Sequence, residues 1–211
     1  MTTKGDASAL TLNRLSLYLR VLNSLQEAGV GSVVSSQELA DQLRLTAAQI
    51  RKDLAQFGEF GIRGVGYDVD QLARRLTSVL GLESRHPVCI MGMGNLGQAL
   101  TRSPGFNSEG FEVVAGFDND PEKIGSRIGN LVVQDPSEME RVIAQRHIEI
   151  GVLTVPVESA QQNYDELIDA GARAILNFAP VRLRERPGIR TKNVDLRIDL
   201  EELSFFLATE S

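Results

Sequence analysis

The strongest constraint on the fold is a glycine-rich turn that directly follows an apolar run. Residues 88–91 are apolar, and residues 98–100 after the turn can begin a helix. In a Rossmann-like unit the first glycine of such a turn leaves the strand, the second lets the backbone approach a pyrophosphate, and the third lets the helix pack closely. The N–H groups at the start of the helix then face the phosphates. The candidate cofactor-binding residues of this turn are Gly92, Met93, Gly94, Asn95, Leu96 and Gly97.

A second apolar run predicts which dinucleotide binds. Residues 111–117 end at Asp118, about where the ribose-binding carboxylate of a dinucleotide fold lies. A carboxylate there accepts the two ribose hydroxyls of NAD and repels the extra phosphate of NADP, and no arginine directly adjoins it. The sequence therefore predicts NAD and NADH as cofactors. The alternative is that Asp118 only caps the loop over residues 118–121.

The remainder of the second half alternates strands with helices. Strands are predicted near residues 131–133, 148–154 and 174–176, with helices over 136–144 and 159–170. This alternation indicates a parallel sheet with right-handed crossovers, whose ligand lies beyond the carboxyl ends of the strands. Two such ends supply candidate residues for the pocket floor near the nicotinamide: Thr154, Val155, Pro156, Asn177, Phe178, Ala179 and Pro180. Simple turn chemistry is the alternative for both loops.

The first half predicts a helix-turn-helix followed by a wing. Residues 11–28 carry leucines spaced by three and four before Gly29, which is typical of an amphipathic helix. Ser35 and Glu38 can form the capping box of a second helix, and Thr46 can open a third. Residues 58–67 alternate glycines with apolar residues, a pattern that favours a short β-hairpin.

A winged helix of this kind would place its third helix in the major groove of DNA. An arginine at the hairpin tip suits a narrow minor groove rich in A·T pairs. The candidate DNA contacts are Ser36, Thr46, Gln49, Arg51, Lys52, Arg63 and Tyr67. The net charge of −6 argues mildly against a nucleic-acid partner, but residues 44–63 hold four basic and two acidic side chains. An ordinary solvated face is the alternative.

No residue is placed to transfer a proton to or from a bound nicotinamide. His86 and His147 both precede predicted strands and so lie at the amino ends, opposite the cofactor. A bound nicotinamide is therefore expected to be sensed rather than consumed, and the chain is not expected to be an enzyme. Two alternatives stay open: a small NAD-dependent oxidoreductase whose first helices only dimerise, and a binder of coenzyme A or another nucleotide.

Composition limits the location and the metal chemistry. The single cysteine, Cys89, allows no internal disulfide and no cysteine metal site, so we expect no metal. The chain shows neither a signal-peptide core nor an apolar run long enough to cross a bilayer. The expectation is a cytoplasmic protein without a membrane partner.

The last segment predicts a helix with one apolar face. Asp199 is the expected N-cap, with Glu202 three residues later. The apolar face consists of Leu200, Leu203, Phe206 and Leu207. Because so short a helix is marginal alone, it must bury this face on its own domain or on a second subunit.

Five motifs in this order resemble the Rex family of redox-sensing transcriptional repressors. They are SLYLR (16–20), QIRKDL (49–54), RGVGY (63–67), GMGNLG (92–97) and LNFAP (176–180). The resemblance covers nearly the whole chain. It implies a homodimer that binds palindromic operator DNA when NADH is scarce and leaves it when NADH binds, while NAD competes without causing release. It also implies a C-terminal helix swapped between subunits, and a pair formed by Arg20 and Asp195 in one conformational state.

The predicted fold is α/β in three parts. A winged-helix DNA-binding domain spans residues 1–82, a Rossmann-like parallel-sheet domain that binds NAD(H) spans 86–193, and the swapped helix spans 194–211. Two positions depart from the Rex pattern. Ser103 stands where many members carry tyrosine, and Leu196 stands where some carry phenylalanine. Both lie near the expected nicotinamide.

Overall fold

The chain divides into two structural units, residues 1–84 and residues 85–211. The computed structural model describes residues 8–29, 31–62, 64–107 and 110–209. The elements of the first unit are α1 (Ala9–Glu27), β1 (Val33–Val34), α2 (Ser36–Leu43), α3 (Ala47–Ala55), β2 (Tyr67–Asp68) and α4 (Val69–Val79).

The helix-turn-helix of the first unit is built by the predicted caps. The Ser35 hydroxyl accepts the N–H of Glu38, whose carboxylate accepts the N–H of Ser35 in return. The Thr46 hydroxyl caps α3 by accepting the N–H of Gln49. These caps satisfy N–H groups that the first turns leave without partners, so the two helices begin where predicted. The buried core joins all four helices and includes Leu15, Leu22, Leu39, Ile50, Leu54, Leu72 and Leu76.

The wing differs from the predicted hairpin over residues 58–67. Its only antiparallel pairing within the described part of that segment is a single bridge between Ile62 and Gly66. The strand β2 that follows pairs instead with β1, which the sequence had not indicated. Gly66 has φ +122°, and a Cβ there would lie 2.6 Å from the Val34 carbonyl oxygen. Glycine thus allows the wing to lie against β1, a contact that the alternating pattern does not predict.

The second unit contains a sheet with helices on both faces. Its strands are β3 (His86–Met91), β4 (Phe111–Phe117), β5 (Arg127–Ile128), β6 (Leu131–Gln134), β7 (Ile150–Leu153), β8 (Ala174–Asn177) and β9 (Arg190–Asn193). Its helices are α5 (Asn95–Arg102), α6 (Met139–Arg146), α7 (Val157–Asp169) and α8 (Leu196–Thr209), with 3-10 turns at Pro104–Phe106 and Pro136–Glu138.

Among the described residues the strand order is β5-β6-β4-β3-β7-β8-β9, and only β5 runs antiparallel to its neighbour. One sheet face packs against α6 and α7, and the other carries a second cluster that includes Leu100 of α5. The sheet is the Rossmann-like one predicted, although β5 and β9 were not foreseen and β7 is shorter than expected. The order reverses at β3, which lies between β4 and β7. Such a reversal opens a crevice at the carboxyl ends of the strands.

The C-terminal helix α8 begins four residues earlier than predicted, at Leu196 rather than Leu200. The Asp195 carboxylate accepts the N–H of Arg197 at 3.0 Å, and Ile198 donates to the Asp195 carbonyl. Asp199 therefore lies inside the first turn, and its assignment as the N-cap is wrong because Asp195 offers the same cap one turn earlier. Within Leu196–Thr209 no side chain is buried. Among the described helices, none combines the length and the apolar character that crossing a membrane requires.

Candidate cofactor site and nucleic-acid interface

The glycine-rich turn is packed so tightly that two of its positions admit no side chain. A Cβ on Gly97 would lie 2.1 Å from the Gly92 carbonyl oxygen, and one on Gly92 would lie 2.8 Å from the Thr154 carbonyl oxygen. Gly92 also has φ +96°, which L side chains rarely adopt. The turn, the start of α5 and the end of β7 therefore form one packed corner.

Gly94 has the opposite surroundings. A Cβ built on Gly94 meets no described atom within 4 Å, although its backbone is extended, with φ −74°. No side chain among the described residues caps α5, whose first helical residue is Asn95. An open space in front of uncapped N–H groups is what a diphosphate needs. The residues present thus fit the diphosphate of a dinucleotide.

Asp118 is held in place by the turn that it follows. Its side chain is 6 % exposed, and it accepts the N–H of Met93 at 2.7 Å and that of Asp120 at 2.9 Å. The Lys123 ammonium lies 3.1 Å from the same carboxylate. Burial raises the pKa of Asp118, but the Asp120 N–H, Lys123 and the Met93 N–H outweigh it and lower that pKa. The carboxylate is therefore ionised.

This geometry changes the expected ribose contact. A carboxylate has about four acceptor positions, and in Asp118 three of them already accept a hydrogen bond. Asp118 thus retains room for one ribose hydroxyl rather than the two expected from the sequence. Sequence reasoning looked only for an adjacent arginine and missed Lys123, five residues away. The loop that returns Lys123 begins with the hydrogen bond between Asp118 and the Asp120 N–H.

The end of β7 serves the turn more than the pocket. The Thr154 hydroxyl lies 2.6 Å from the Gly92 carbonyl oxygen, to which it donates, and 3.1 Å from that of Met91. Thr154 therefore clamps the glycine-rich turn to β7. Val155 is half-buried and Pro156 is exposed at the start of α7.

The end of β8 is predicted to form part of the pocket floor with residues 177–180. The Asn177 side chain is 0 % exposed, and its amide is bonded to Ala179, Val181 and Asn193. A buried, satisfied amide cannot contact a ligand, so Asn177 shapes the loop instead. Ala179 is also in the core, whereas Phe178 is half-buried and Pro180 is exposed.

The two histidines lie away from the glycine-rich turn, and the cysteine is buried. His86 is the first residue of β3 and His147 ends α6 shortly before β7, so both lie at the amino ends of the strands as predicted. Cys89 is buried within β3, and burial raises the pKa of its thiol to about 12. A thiol that stays protonated is a poor nucleophile and a poor redox sensor.

The first unit presents basic side chains on α3. Arg51 and Lys52 are exposed, and the Arg51 guanidinium donates to the Ser36 hydroxyl of α2 at 2.9 Å. A groove of about 770 Å³ lies between α3 and the wing and is lined by Ser36, Arg51 and residues 58–62 and 64–67. The exposed cap Thr46 begins the same helix.

Three other predicted DNA contacts stand differently. Gln49 is half-buried, and its amide nitrogen donates to the Asp53 carboxylate at 2.8 Å. Tyr67 lines the groove but is only 9 % exposed and belongs to the core, where burial raises the pKa of its hydroxyl, so little of its surface is left for DNA. The cause is the pairing of β2 with β1, which turns Tyr67 inward. Arg63 lies outside the described residues. Of the expected interdomain pair, Arg20 is exposed on α1 and Asp195 caps α8.

Two family models match the chain. A putative DNA-binding protein N-terminus matches residues 7–55, and a CoA binding domain matches residues 83–181. The first match contains the helix-turn-helix, and the second contains the glycine-rich turn and Asp118.

Proteins similar over almost the full length carry one description. The redox-sensing transcriptional repressor Rex of Chloroflexus aggregans is 46% identical over 201 residues, which cover 95% of this chain and 94% of that protein. The redox-sensing transcriptional repressor Rex of Desulfitobacterium hafniense is 45% identical over 199 residues, 94% of each chain.

Two solved structures have the same fold throughout. The crystal structure of RSP in complex with beta-NAD+ and operator DNA matches with a TM-score of 0.91 and 38% identity, covering 97% of this chain and 94% of that one. The structure of RSP in complex with beta-NADH matches with a TM-score of 0.87 and 36% identity, covering 97% and 96%.

Proposed function

The chain belongs to the Rex family of redox-sensing transcriptional repressors, and from this membership we propose that it represses transcription by binding operator DNA and releases that DNA when NADH binds. Its relatives are named transcriptional repressors rather than enzymes, and RSP was solved with NAD+ and operator DNA and with NADH. The chain therefore acts as a reader of the NADH to NAD ratio and not as a catalyst.

One observation carries the proposal. A single polypeptide contains an open, uncapped helix start behind Gly94 and an exposed recognition helix with Arg51 and Lys52. The first suits a diphosphate and the second suits the phosphates and bases of DNA. A protein with both sites can respond to one ligand by changing its affinity for the other, provided that two states of the protein bind both ligands with different affinities.

The residues that would hold the dinucleotide follow from this geometry. The N–H groups at Gly94, Asn95 and Leu96 bind the diphosphate, and Asp118 accepts one ribose hydroxyl. The loops at Val155 and Phe178 line the nicotinamide end. Thr154 and Asn177 keep the loops in shape from behind. The proposal needs no metal ion, because the dinucleotide itself carries the signal.

We place the working form as a homodimer in the cytoplasm, bound to a palindromic operator. The apolar α8 face with Leu203 and Phe206 is exposed, and an exposed apolar patch of this kind supports a subunit contact. Two copies related by two-fold symmetry match a palindrome. The resemblance to Rex supports the swap of α8 between subunits and a pair formed by Arg20 and Asp195 in one of the two states.

The test is a DNA-binding assay with and without NADH. The full-length protein first selects its preferred duplex from a random-sequence library. Fluorescence anisotropy then measures its affinity for that duplex over a salt series. We expect tight binding that weakens steeply with salt and is lost at saturating NADH. Binding that persists at saturating NADH would contradict the proposal.

Variants locate the DNA contact. Arg51→Ala and Lys52→Ala should each weaken duplex binding and lower the salt slope by about one, because each removes one phosphate contact. NADH affinity should stay unchanged. Arg182→Ala removes the same charge from the second unit and serves as the control, with no expected effect on either ligand. Equal loss of DNA and NADH binding in Lys52→Ala would contradict the assignment of α3.

The match to a CoA binding domain provides a second candidate ligand for the same cradle. The fluorescence of bound NADH, titrated with coenzyme A, decides between them. We expect coenzyme A to displace NADH only at large excess, since Asp118 accepts an unmodified ribose hydroxyl and coenzyme A carries a phosphate on its ribose. Displacement at equal concentrations would favour coenzyme A as the ligand.

A further inference from the structure

In the described part of the first unit, the buried carboxylate of Asp53 on α3 accepts four side-chain hydrogen bonds. Its side chain is 1 % exposed. The Arg14 guanidinium donates to both of its oxygens, at 2.6 and 2.8 Å, and the Tyr18 hydroxyl donates at 2.7 Å. Gln49 supplies the remaining donor at 2.8 Å. The four donors fill the acceptor positions of the carboxylate.

The network joins two helices in a simple register. Arg14 and Tyr18 are one turn apart on α1, and Gln49 and Asp53 are one turn apart on α3. The two-pronged bond from Arg14 orients the carboxylate plane more strictly than a single bond would. Burial raises the pKa of Asp53, but the bonds from Arg14, Tyr18 and Gln49 outweigh it and lower the pKa. Asp53 is therefore a fixed negative charge beneath the exposed side of α3.

Gln49 is the part of this network that can reach DNA. It is the third residue of α3, and the first residues of a recognition helix contact base edges in the major groove. A carboxylate only accepts, so Gln49 must turn its NH₂ group toward Asp53. The carbonyl oxygen and one N–H of Gln49 stay available, and those are the groups with which glutamine reads adenine.

We propose that Asp53 is a positioning residue for operator reading, which anchors the Gln49 amide in one orientation before DNA arrives. The inference rests on the proposed operator-binding role of α3. A free glutamine loses several rotamers when it contacts a base, and that loss weakens binding. A glutamine already held by Asp53 avoids most of the loss, and it presents its donor and acceptor in a set order.

The test compares the sequence preferences of four full-length proteins. The wild type, Gln49→Ala, Asp53→Asn and the double variant each select duplexes from a random-sequence library. Gln49→Ala should lose about 10-fold or more in discrimination at one base position. Asp53→Asn should lose about 2- to 12-fold at the same position. The double variant should lose no more than Gln49→Ala alone, because Asp53 acts through Gln49.

A matched control separates positioning from stability. Tyr18→Phe removes one donor from Asp53 but keeps the Arg14 bonds and the bond to Gln49. It should destabilise the fold and leave base discrimination at the wild-type level. The inference is overturned, and the network is only structural, in either of two cases. Tyr18→Phe lowers base discrimination as much as Asp53→Asn does, or Asp53→Asn causes the same loss of discrimination in the Gln49→Ala background as in the wild type.

A second measurement covers the case in which Asp53→Asn does not fold. The side-chain amide signal of Gln49 in wild-type protein, assigned by its absence in Gln49→Ala, should report an ordered group in slow exchange with water before DNA is added. A Gln49 amide signal that shows free rotation of the side chain and fast exchange with water overturns the inference. The two failures stay distinct. A wild type that prefers no duplex contradicts the proposed function, whereas a preferred duplex that Gln49→Ala reads normally contradicts only the role of Asp53.

Discussion

Single atoms decide what the glycine-rich turn can hold. The missing side chain at Gly97 lets the helix start touch the turn, and the missing side chain at Gly94 leaves space that no described atom enters. The two glycines of one motif therefore have different surroundings: Gly97 serves packing, and Gly94 leaves the space that the proposed diphosphate site requires. Asp118 joins these roles because it accepts the Met93 N–H and keeps an acceptor position for a ligand.

Gly94→Ala should separate binding from folding. Its Cβ would lie more than 4 Å from every described atom outside its own residue and the two adjacent ones, and its backbone angles suit alanine. The free energy of unfolding should therefore stay within about 0.5 kcal/mol of the wild-type value. The same Cβ would occupy the approach of the diphosphate, so NADH affinity should fall at least about 10-fold. Calorimetry and NADH fluorescence measure the two quantities.

Two further variants serve as controls for the Gly94→Ala measurement. Gly97→Ala should lower stability as well as NADH affinity, because its Cβ would meet the Gly92 carbonyl oxygen. Ala99→Ser, on the exposed side of the same helix, should change neither. Unchanged NADH binding in Gly94→Ala would show that the diphosphate lies elsewhere.

The buried Asp53 carboxylate should make stability depend on pH. Its pKa in the folded protein is lowered despite burial, so its stabilising effect is present above the ordinary aspartate pKa, about pH 4, and is lost as the pH falls through the folded value. At pH 7, Asp53→Asn should cost about 2 to 3 kcal/mol, since it leaves Arg14 without its charged partner. The difference from the wild type should shrink as the pH is lowered below about 4.

Urea unfolding of the full chain, followed by tyrosine fluorescence, measures this difference. The chain has no tryptophan, and Tyr18 and Tyr67 both lie in the core of the first unit. Asp41→Asn, an exposed carboxylate on α2, is the control and should change stability little at any pH. A gap between wild type and Asp53→Asn that stays constant into acid would contradict the assigned ionisation.

Whole elements differ in how much of their surface their own unit covers. α3 buries Ile50 and Leu54 and keeps its basic side chains outside, as expected of a helix that both packs and reads DNA. α8 buries nothing within the described chain, although its side chains are largely apolar. A helix of 14 residues is marginal without tertiary packing, and the proposed subunit contact would supply the packing that α8 lacks.

Charge on the apolar face of α8 should therefore separate the subunits. Leu203→Asp combined with Phe206→Asp should convert a dimer to a monomer in sedimentation, because two carboxylates cannot be buried without partners. The second unit should stay folded, since neither side chain is buried in it. Glu201→Gln changes a charged residue of the same helix and should leave the dimer intact. A wild type that sediments as a monomer at micromolar concentration would contradict the proposed swap.

On the scale of the whole molecule, one coupling free energy must link NADH binding to operator binding. NADH weakens operator binding only if two states of the protein differ in affinity for both ligands. Neither unit alone determines the size of this coupling, because each provides only one of the two sites.

Reciprocity gives the quantitative prediction. The factor by which saturating NADH weakens operator binding should equal the factor by which saturating operator duplex weakens NADH binding, about 5- to 150-fold in typical cases. Anisotropy gives the first factor and NADH fluorescence gives the second, both at one salt concentration. NAD should give a factor near one. Factors that differ beyond experimental error would indicate a second NADH site or a change in subunit assembly.

Local patterns determined much of this protein without any structure. The capping box at Ser35, the glycine turn at residues 92–97 and the alternation of strands and helices are short-range features, since backbone sterics and hydrogen bonding act over a few residues. They were sufficient for the Rossmann-like sheet and the helix-turn-helix. The resemblance to Rex, which the relatives confirm, was visible in the same short motifs.

Only the tertiary structure decided which side chains meet across long stretches of chain. In the folded chain Arg14 and Tyr18 donate hydrogen bonds to Asp53, and Lys123 forms a salt bridge with Asp118. β2 pairs with β1, and Asn177 and Tyr67 are buried. Such contacts depend on how whole faces pack, and no local pattern records that. Packing thus makes Asn177 and Tyr67 poor candidates for ligand contacts, although the sequence assigned both to a site, because a side chain that is already bonded or buried has little left to offer a ligand.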